Sequence, residues 1–387
     1  MIPYGRQKIE LDDIAAVTAA LSSDFLTQGP KVPEFEKSIA SRVGAAHSLA
    51  FNSATSALHA ACNALGVGPG DTVWTTPISF VASANCALYC GAQVDFVDID
   101  TDTINISPIS LEKKLDWAKA NHRLPKALVA VHFAGEPVPL DRISKLCHEY
   151  GVKLIEDASH ALGAKYGGMN IGSCAQSAIC IFSFHPVKII TTLEGGLATT
   201  NDPDLARSLS LFRSHGITRN EELFEGPSHG PWYYEQVDLG YNYRMTDVQA
   251  ALGLSQHAKL NSFLERRHEI AAVYDKEFGG LELKCQLRNP ESFSALHLYI
   301  VQLPIDLKKQ RRKFFETLRT SGIGVNVHYI PIYRQPYYLN RYGSKVLEFP
   351  NAEQYYEGAV TLPIHPSMTE ADVEKVVFSV KDAMRAI

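Results

Sequence analysis

Neither sign of charge dominates this sequence. Its 37 lysines and arginines stand against 42 aspartates and glutamates, a net charge of −5 over 387 residues. That balance leaves no electrostatic footprint for nucleic acid or an anionic membrane surface. No apolar run approaches the ~20 residues that a membrane span needs. The opening MIPYGRQKIELDD has no apolar stretch of the kind that heads a secretion signal, so a cytoplasmic protein is expected. Cysteine is sparse and unpatterned: seven residues, with no C-x-x-C spacing. Buried reduced thiols are expected, not a disulfide framework. The 14 histidines include no H-E-x-x-H, and no metal site is expected. Neither G-x-x-x-x-G-K-[ST] nor G-x-G-x-x-G occurs, which argues against a phosphate-loop hydrolase and a nicotinamide-dependent dehydrogenase.

What is present is alternation. From His47 onward, apolar strand-like runs (HSLAF, DTVWTTP, QVDFVDID, KALVAVHF, KLIEDAS, AICIFSF) are separated by helix-like ones. This pattern predicts an α/β fold around a large, mostly parallel sheet with helices on both faces. Two helices precede it, over Asp12–Ser23 and Val32–Gly44. After the sheet come a helix over Asp202–Gly216, a long loop over Glu221–Tyr243, and helical periodicity over Thr246–Phe278 with a break near Gly253. The remainder reads as a smaller α/β domain. It has strands at LHLYIVQLP and GVNVHYI, helices at Tyr355–Thr361 and Glu370–Met384, and a basic cluster, Lys308–Lys313, taken as a solvated helix face. The expected division is 1–259 and 260–387.

One stretch, Ser183–Gly196, carries a single lysine, Lys188, between an apolar strand and a Gly-Gly pair. By itself it is as well read as a solvated turn lysine. About thirty residues upstream, Asp157 closes another apolar run. Alone it reads as a cap or turn residue. Together the two suit pyridoxal phosphate, whose aldehyde condenses with a lysine amine and whose ring nitrogen needs a carboxylate to remain protonated. Asn52–Ser56 opens a helix with small and hydroxyl residues. It is an ordinary N-cap or a place where free N–H groups and the helix dipole hold a phosphate. Phe80 is core or a plane for a cofactor ring. Ligands of such sheets sit beyond the strands' carboxyl ends, where these residues fall.

The segments SFHPVK…EGG, EDASHALGA, NSATSALH, TTPISFVASAN and GYNYRMTDVQAALG resemble the DegT/DnrJ/EryC1/StrS sugar aminotransferases over essentially the whole chain. The resemblance implies a fold type I pyridoxal-phosphate enzyme with Lys188 and Asp157 catalytic. It implies a cofactor site of Ala54, Thr55, Phe80, Asp157, His160, Ser183 and Lys188, with Asn242 reaching the phosphate from the neighbouring subunit of a homodimer. It further implies a sugar-nucleotide site lined by Tyr4, Asp24, Phe25, Leu26, Thr27, Ser56, His328, Tyr329, Ile330 and Pro331. The implied reaction moves the amino group of L-glutamate to C-4 of a UDP-linked 4-keto-6-deoxy-N-acetylhexosamine, on the route to pseudaminic acid. A GDP-linked 4-keto sugar and a non-catalytic cofactor-binding protein are the alternatives. Related sugar dehydratases carry histidine in place of the lysine. Where relatives often have glycine before Glu-Gly-Gly, this chain has Leu193.

Overall fold

The computed structural model describes all of residues 1–387. Two helices, α1 (Leu11–Leu21) and α2 (Lys31–Val43), lead into β1 (His47–Phe51) and α3 (Ala54–Ala64). Then come β2 (Thr72–Thr75), α4 (Ala82–Tyr89), β3 (Gln93–Phe96), α5 (Pro108–Ala120), β4 (Ala127–Val131), α6 (Leu140–Glu149) and β5 (Lys153–Asp157). A small hairpin, β6 (Lys165–Tyr166) and β7 (Met169–Asn170), precedes β8 (Ile179–Ser183), β9 (Gly196–Thr200) and α7 (Pro203–Phe212).

These strands form one seven-stranded sheet in the order β1-β9-β8-β5-β4-β2-β3. All neighbours from β3 to β8 are parallel, and β9 is antiparallel to both β8 and β1. Six strands therefore run one way, and β9 runs against them. The sheet is covered on both faces, as parallel sheets are. Successive residues of β4 alternate between two apolar clusters: Leu128 and Ala130 face one, Ala127 and Val129 the other. A one-residue slip would exchange the two sets, so the hydrophobic pattern fixes the register.

Downstream lie β10 (Ile217–Thr218), β11 (Glu235–Gln236), α8 (Asp247–Ala258), α9 (Leu260–Phe278), β12 (Lys284–Cys285), β13 (Ser292–Phe293) and β14 (Tyr299–Gln302). The chain closes with α10 (Arg311–Thr320), α11 (Pro336–Tyr342), α12 (Pro350–Gly358), β15 (Ala359–Leu362) and α13 (Glu370–Arg385). A second sheet, β12-β14-β15, shares a third apolar cluster with α9, α10 and α13. The cluster over one face of the large sheet also takes in Ile332, Tyr333, Tyr338, Phe349 and Tyr355. The last 130 or so residues therefore pack in part onto the first sheet.

Five local expectations are corrected. The helix break falls at Lys259, not Gly253. A Cβ on Gly253 would stand 2.8 Å from the Phe35 ring, so this glycine lets α8 approach α2 and interrupts nothing. GVNVHYI forms no strand: Asn326 makes one isolated bridge, to Thr361, and Ile323 just before the segment makes another, to Ile2. The helix expected over Tyr355–Thr361 ends at Gly358, and Val360 and Thr361, β-branched and buried, pair with β14. The Lys308–Lys313 cluster is only partly solvated: Lys308 Nζ donates to the Gln354 carbonyl at 2.7 Å, and Arg311 donates to that of Tyr356. The expected loop over 221–243 holds β11, paired with β10. All seven cysteines are free thiols.

Candidate active site

Because β1, β2, β4, β5 and β8 run the same way, their carboxyl ends share one edge. Asp157 and Ser183 end β5 and β8, and Gly196 opens the reversed β9 at that edge. Lys188 lies on the turn between β8 and β9, its N–H donating to the His185 carbonyl at 2.9 Å. Gly5 packs on Val187, its Cβ position 3.5 Å from the valine's, so the N-terminal segment with Tyr4 lies beside this turn. Lys188 Nζ forms no ion pair or hydrogen bond within the chain. Burial lowers its pKa to about 8, and the Asp157 charge pulls in the opposite direction.

Asp157 is 4% exposed. Ser83 Oγ donates to its Oδ2 at 2.6 Å and the Ser159 N–H to Oδ1 at 3.1 Å. Ser83, itself fully buried, is hydrogen-bonded to Ser79 at 2.7 Å. Since an ionised carboxylate only accepts, Ser83 spends its proton on Asp157 and Ser79 donates to Ser83. Sequence reasoning passed over both serines. Their signal was a hydroxyl pair four residues apart at the start of an otherwise small-residue helix.

Helix α3 begins at the same edge. Ser53 caps it, accepting the Ser56 N–H at 3.1 Å. The first two N–H groups, of Ala54 and Thr55, are left without intrahelical partners. Gly196 makes this approach possible, since a Cβ there would lie 2.4 Å from the Ala54 nitrogen. Ser56, expected in the sugar-nucleotide site, is 5% exposed at this helix start, and its hydroxyl donates to Asn52 Oδ1 at 2.5 Å.

Aromatic and imidazole rings wall the other side. His160 Nδ1 accepts the Ala134 N–H at 3.2 Å, and its Nε2 lies 3.2 Å from Tyr329 Oη. His297, which the sequence did not single out, packs 4.4 Å behind it. Phe80 is 58% exposed on the rim, two residues before α4, with its ring 6.3 Å from that of Tyr329. His328 is buried, hydrogen-bonded to Thr361 Oγ1 at 2.9 Å, and 5.0 Å from the Tyr4 ring. Burial, aided by the Lys188 charge, depresses its pKa to about 3. Ile330 is exposed and Pro331 buried. The segment Asp24–Thr27 is exposed and pinned to the start of α8 through the Leu26 carbonyl, which accepts the Asp247 N–H at 3.0 Å. That same helix start holds the Glu194 carbonyl through Gln249 at 2.7 Å. Asn242 is exposed, its backbone beside Asn52.

A partnerless amine poised near neutrality, within the field of a buried carboxylate at the carboxyl edge of a mostly parallel sheet, suits an enzyme of amine and carbonyl chemistry. Helix α3 adds N–H donors for an anion. The chain belongs to the DegT/DnrJ/EryC1/StrS aminotransferase family, whose profile matches residues 7–381. It is 40% identical over 389 residues to the UDP-4-amino-4,6-dideoxy-N-acetyl-beta-L-altrosamine transaminase of Campylobacter jejuni, covering 100% of this chain and 99% of that protein. It is 39% identical over 389 residues to the spore coat polysaccharide biosynthesis protein SpsC of Bacillus subtilis, covering 99% and 97%. Among solved structures, Helicobacter pylori PseC, an aminotransferase of pseudaminic acid biosynthesis, superposes with a TM-score of 0.91 at 32% identity, covering both chains fully. The PLP-form of the sugar aminotransferase Spr1654 of Streptococcus pneumoniae gives 0.90 at 28% identity, covering 100% and 99%.

Proposed function

We propose that this aminotransferase uses pyridoxal phosphate to move the amino group of L-glutamate to C-4 of a UDP-linked 4-keto-6-deoxy-N-acetylhexosamine, giving the 4-amino sugar used for pseudaminic acid. The observation that carries the reading is the unpartnered Lys188 amine beside Asp157. The acceptor rests on the names of the Campylobacter and Helicobacter relatives.

The residues fit the cofactor. Lys188 offers an amine with no competing partner. Asp157 offers a carboxylate held by two donors, and Ala54 and Thr55 offer free N–H groups at a helix start, with Ser183 beside them at the end of β8. Phe80 and His160 supply planes for a ring. When bound, the cofactor supplies the electron sink that makes a proton on an amino acid's α-carbon removable.

The protein's part is proton handling and orientation. Lys188 Nζ takes the proton from the α-carbon of the donor and, in the reverse half of the cycle, delivers one to C-4 of the sugar. A pKa near 8 suits both directions at neutral pH. Asp157 favours a positive charge opposite it throughout. Tyr4, the Asp24–Thr27 stretch and the His328–Pro331 loop orient the sugar nucleotide. The exposed Asn242 suits a role toward the phosphate of a neighbouring subunit, which makes the working form a homodimer. We place the reaction in the cytoplasm, in keeping with seven unpaired thiols. We divide the chain at residues 259 and 260, where α8 gives way to α9.

The test is spectroscopic. Wild-type protein loaded with pyridoxal phosphate should show visible absorbance that L-glutamate abolishes and the UDP-linked 4-keto sugar restores. Lys188→Ala should not complete the cycle. Restoration by a GDP-linked 4-keto sugar alone refutes the acceptor, and indifference to glutamate refutes the reading as a whole.

A further inference from the structure

The hydrogen-bond inventory around His160 leaves one proton unassigned. A backbone N–H can only donate, so His160 Nδ1, accepting from Ala134 at 3.2 Å, carries no hydrogen. In a neutral imidazole the proton is then on Nε2, which lies 3.2 Å from Tyr329 Oη. Nε2–H donates and the phenol oxygen accepts. The phenol's own proton therefore needs a different acceptor. No other atom of the chain hydrogen-bonds to Tyr329 Oη, and Asp157 and Tyr4 act on it only through space. Burial drives the His160 pKa well below its ordinary value and raises that of Tyr329 well above its own, so both groups keep these protonation states at neutral pH.

The arrangement is closely packed. The two rings lie 6.2 Å apart at 22°, and Phe133 meets Tyr329 edge-on at 6.2 Å. Behind His160, the backbone that carries His297 is held by a buried arginine of α9. Arg267 NH1 donates to the carbonyls of Leu296, His297 and Ile364 at 3.1, 3.2 and 2.9 Å. A Cβ on Gly135 would sit 2.9 Å from the His160 carbonyl and 3.0 Å from the His297 nitrogen, so the backbones here are in close contact.

We propose that Tyr329 is a dedicated hydrogen-bond donor of the active site, its phenolic proton freed by the tautomer of His160 and offered to an oxygen of the bound ligand that carries or gains negative charge. The inference rests on the functional reading above, and the acceptor oxygen belongs to pyridoxal phosphate or to the sugar nucleotide. No bond is made or broken. The phenol stabilises charge on that oxygen and does so better than water, because its direction is fixed.

Three single variants, Tyr329→Phe, His160→Gln and His160→Leu, and the Tyr329→Phe/His160→Leu double variant test this. Pyridoxal phosphate affinity is read by fluorescence quenching without substrates, and kcat and KM are measured with the UDP-linked 4-keto sugar. Loss of one donor to a charged oxygen should cost about ten-fold or more in one of these readouts. A loss in cofactor affinity with KM unchanged assigns the proton to pyridoxal phosphate. A loss confined to the sugar half-reaction assigns it to the sugar. His160→Gln should lose less than His160→Leu, since its carboxamide can accept from Ala134 and donate to Tyr329. His160→Leu should fall with Tyr329→Phe, and the double variant should be no worse than either. Wild-type protein that binds pyridoxal phosphate, with Tyr329→Phe within two-fold in every readout, overturns this inference alone. Wild-type protein that binds no pyridoxal phosphate overturns the functional reading and this inference with it.

Discussion

Lys188 should be the most reactive lysine of the chain at neutral pH, and the size of the effect follows from its surroundings. With its pKa at about 8, roughly 9% of the amine is neutral at pH 7. An ordinary lysine near 10.5 is about 0.03% neutral, so the advantage is on the order of 300-fold. The assay is competitive acetylation of the cofactor-free protein with trace acetic anhydride between pH 6 and 11, read peptide by peptide by mass spectrometry. The Lys188 rate should rise about ten-fold per pH unit and level off near pH 8, while exposed lysines keep rising beyond pH 10. Asp157→Asn removes the charge that favours the protonated amine, so the plateau should begin at lower pH. The sign for folding is the reverse of the usual lysine case. A depressed pKa favours the folded state when the amine is neutral, so this contribution is full above pH 10.5, falls as pH drops toward 8, and is level below that. A Lys188 midpoint near 10, unmoved by Asp157→Asn, would refute the account of burial against charge.

Further consequences are open to measurement. His328, at about 3, is depressed below its unfolded value and so stabilises the fold above pH 6.5, a contribution lost as pH falls toward 3. It should lose about 2 kcal/mol between pH 6.5 and 5, and His328→Asn should flatten that part of a pH-dependent urea unfolding curve; an unchanged slope would count against burial as the cause. Gly196→Ala puts a methyl group 2.4 Å from the Ala54 nitrogen. It should cost about 1–3 kcal/mol in thermal unfolding and weaken pyridoxal phosphate binding, whereas Gly44→Ala, with open space around it but φ at +82°, should cost stability without touching cofactor affinity. Leu193 holds φ at +69° and is 55% exposed. Leu193→Gly relieves a left-handed conformation worth roughly 1 kcal/mol against the greater freedom glycine gives the unfolded chain, so the melting temperature should change by only a degree or two; a large drop would mean that the exposed leucine is covered by a second subunit.

The order of elements was written in the local pattern. Runs such as ALVAV, short, apolar throughout and rich in valine, suit strands buried on both faces, and their alternation with helices points to a parallel sheet that the helices cover. The pairing of Lys188 with Asp157 was legible for the same reason: each ends or follows such a strand, and parallel strands bring their carboxyl ends to one edge. Short-range chemistry set the cap at Ser53. Long-range packing decided the rest. Gly253 looked like a break and serves a helix crossing, because its meaning lies in Phe35, more than 200 residues away. GVNVHYI had the composition of a strand but found no ladder to join. The hydrogen bond from Ser56 to Asn52 in the cap is likewise visible only in the folded geometry. His297 and Arg267 carry no signal in one dimension, and Ser83 only that of a hydroxyl spaced four residues from Ser79. Their roles exist only because folding sets a serine 74 positions from Asp157 against that carboxylate, and an arginine of α9 under the loop that backs His160. Sequence determined which groups could do the chemistry; the tertiary structure decided which protons are spent within the protein and which remain for a ligand, because hydrogen bonds are settled by distance in space and not along the chain.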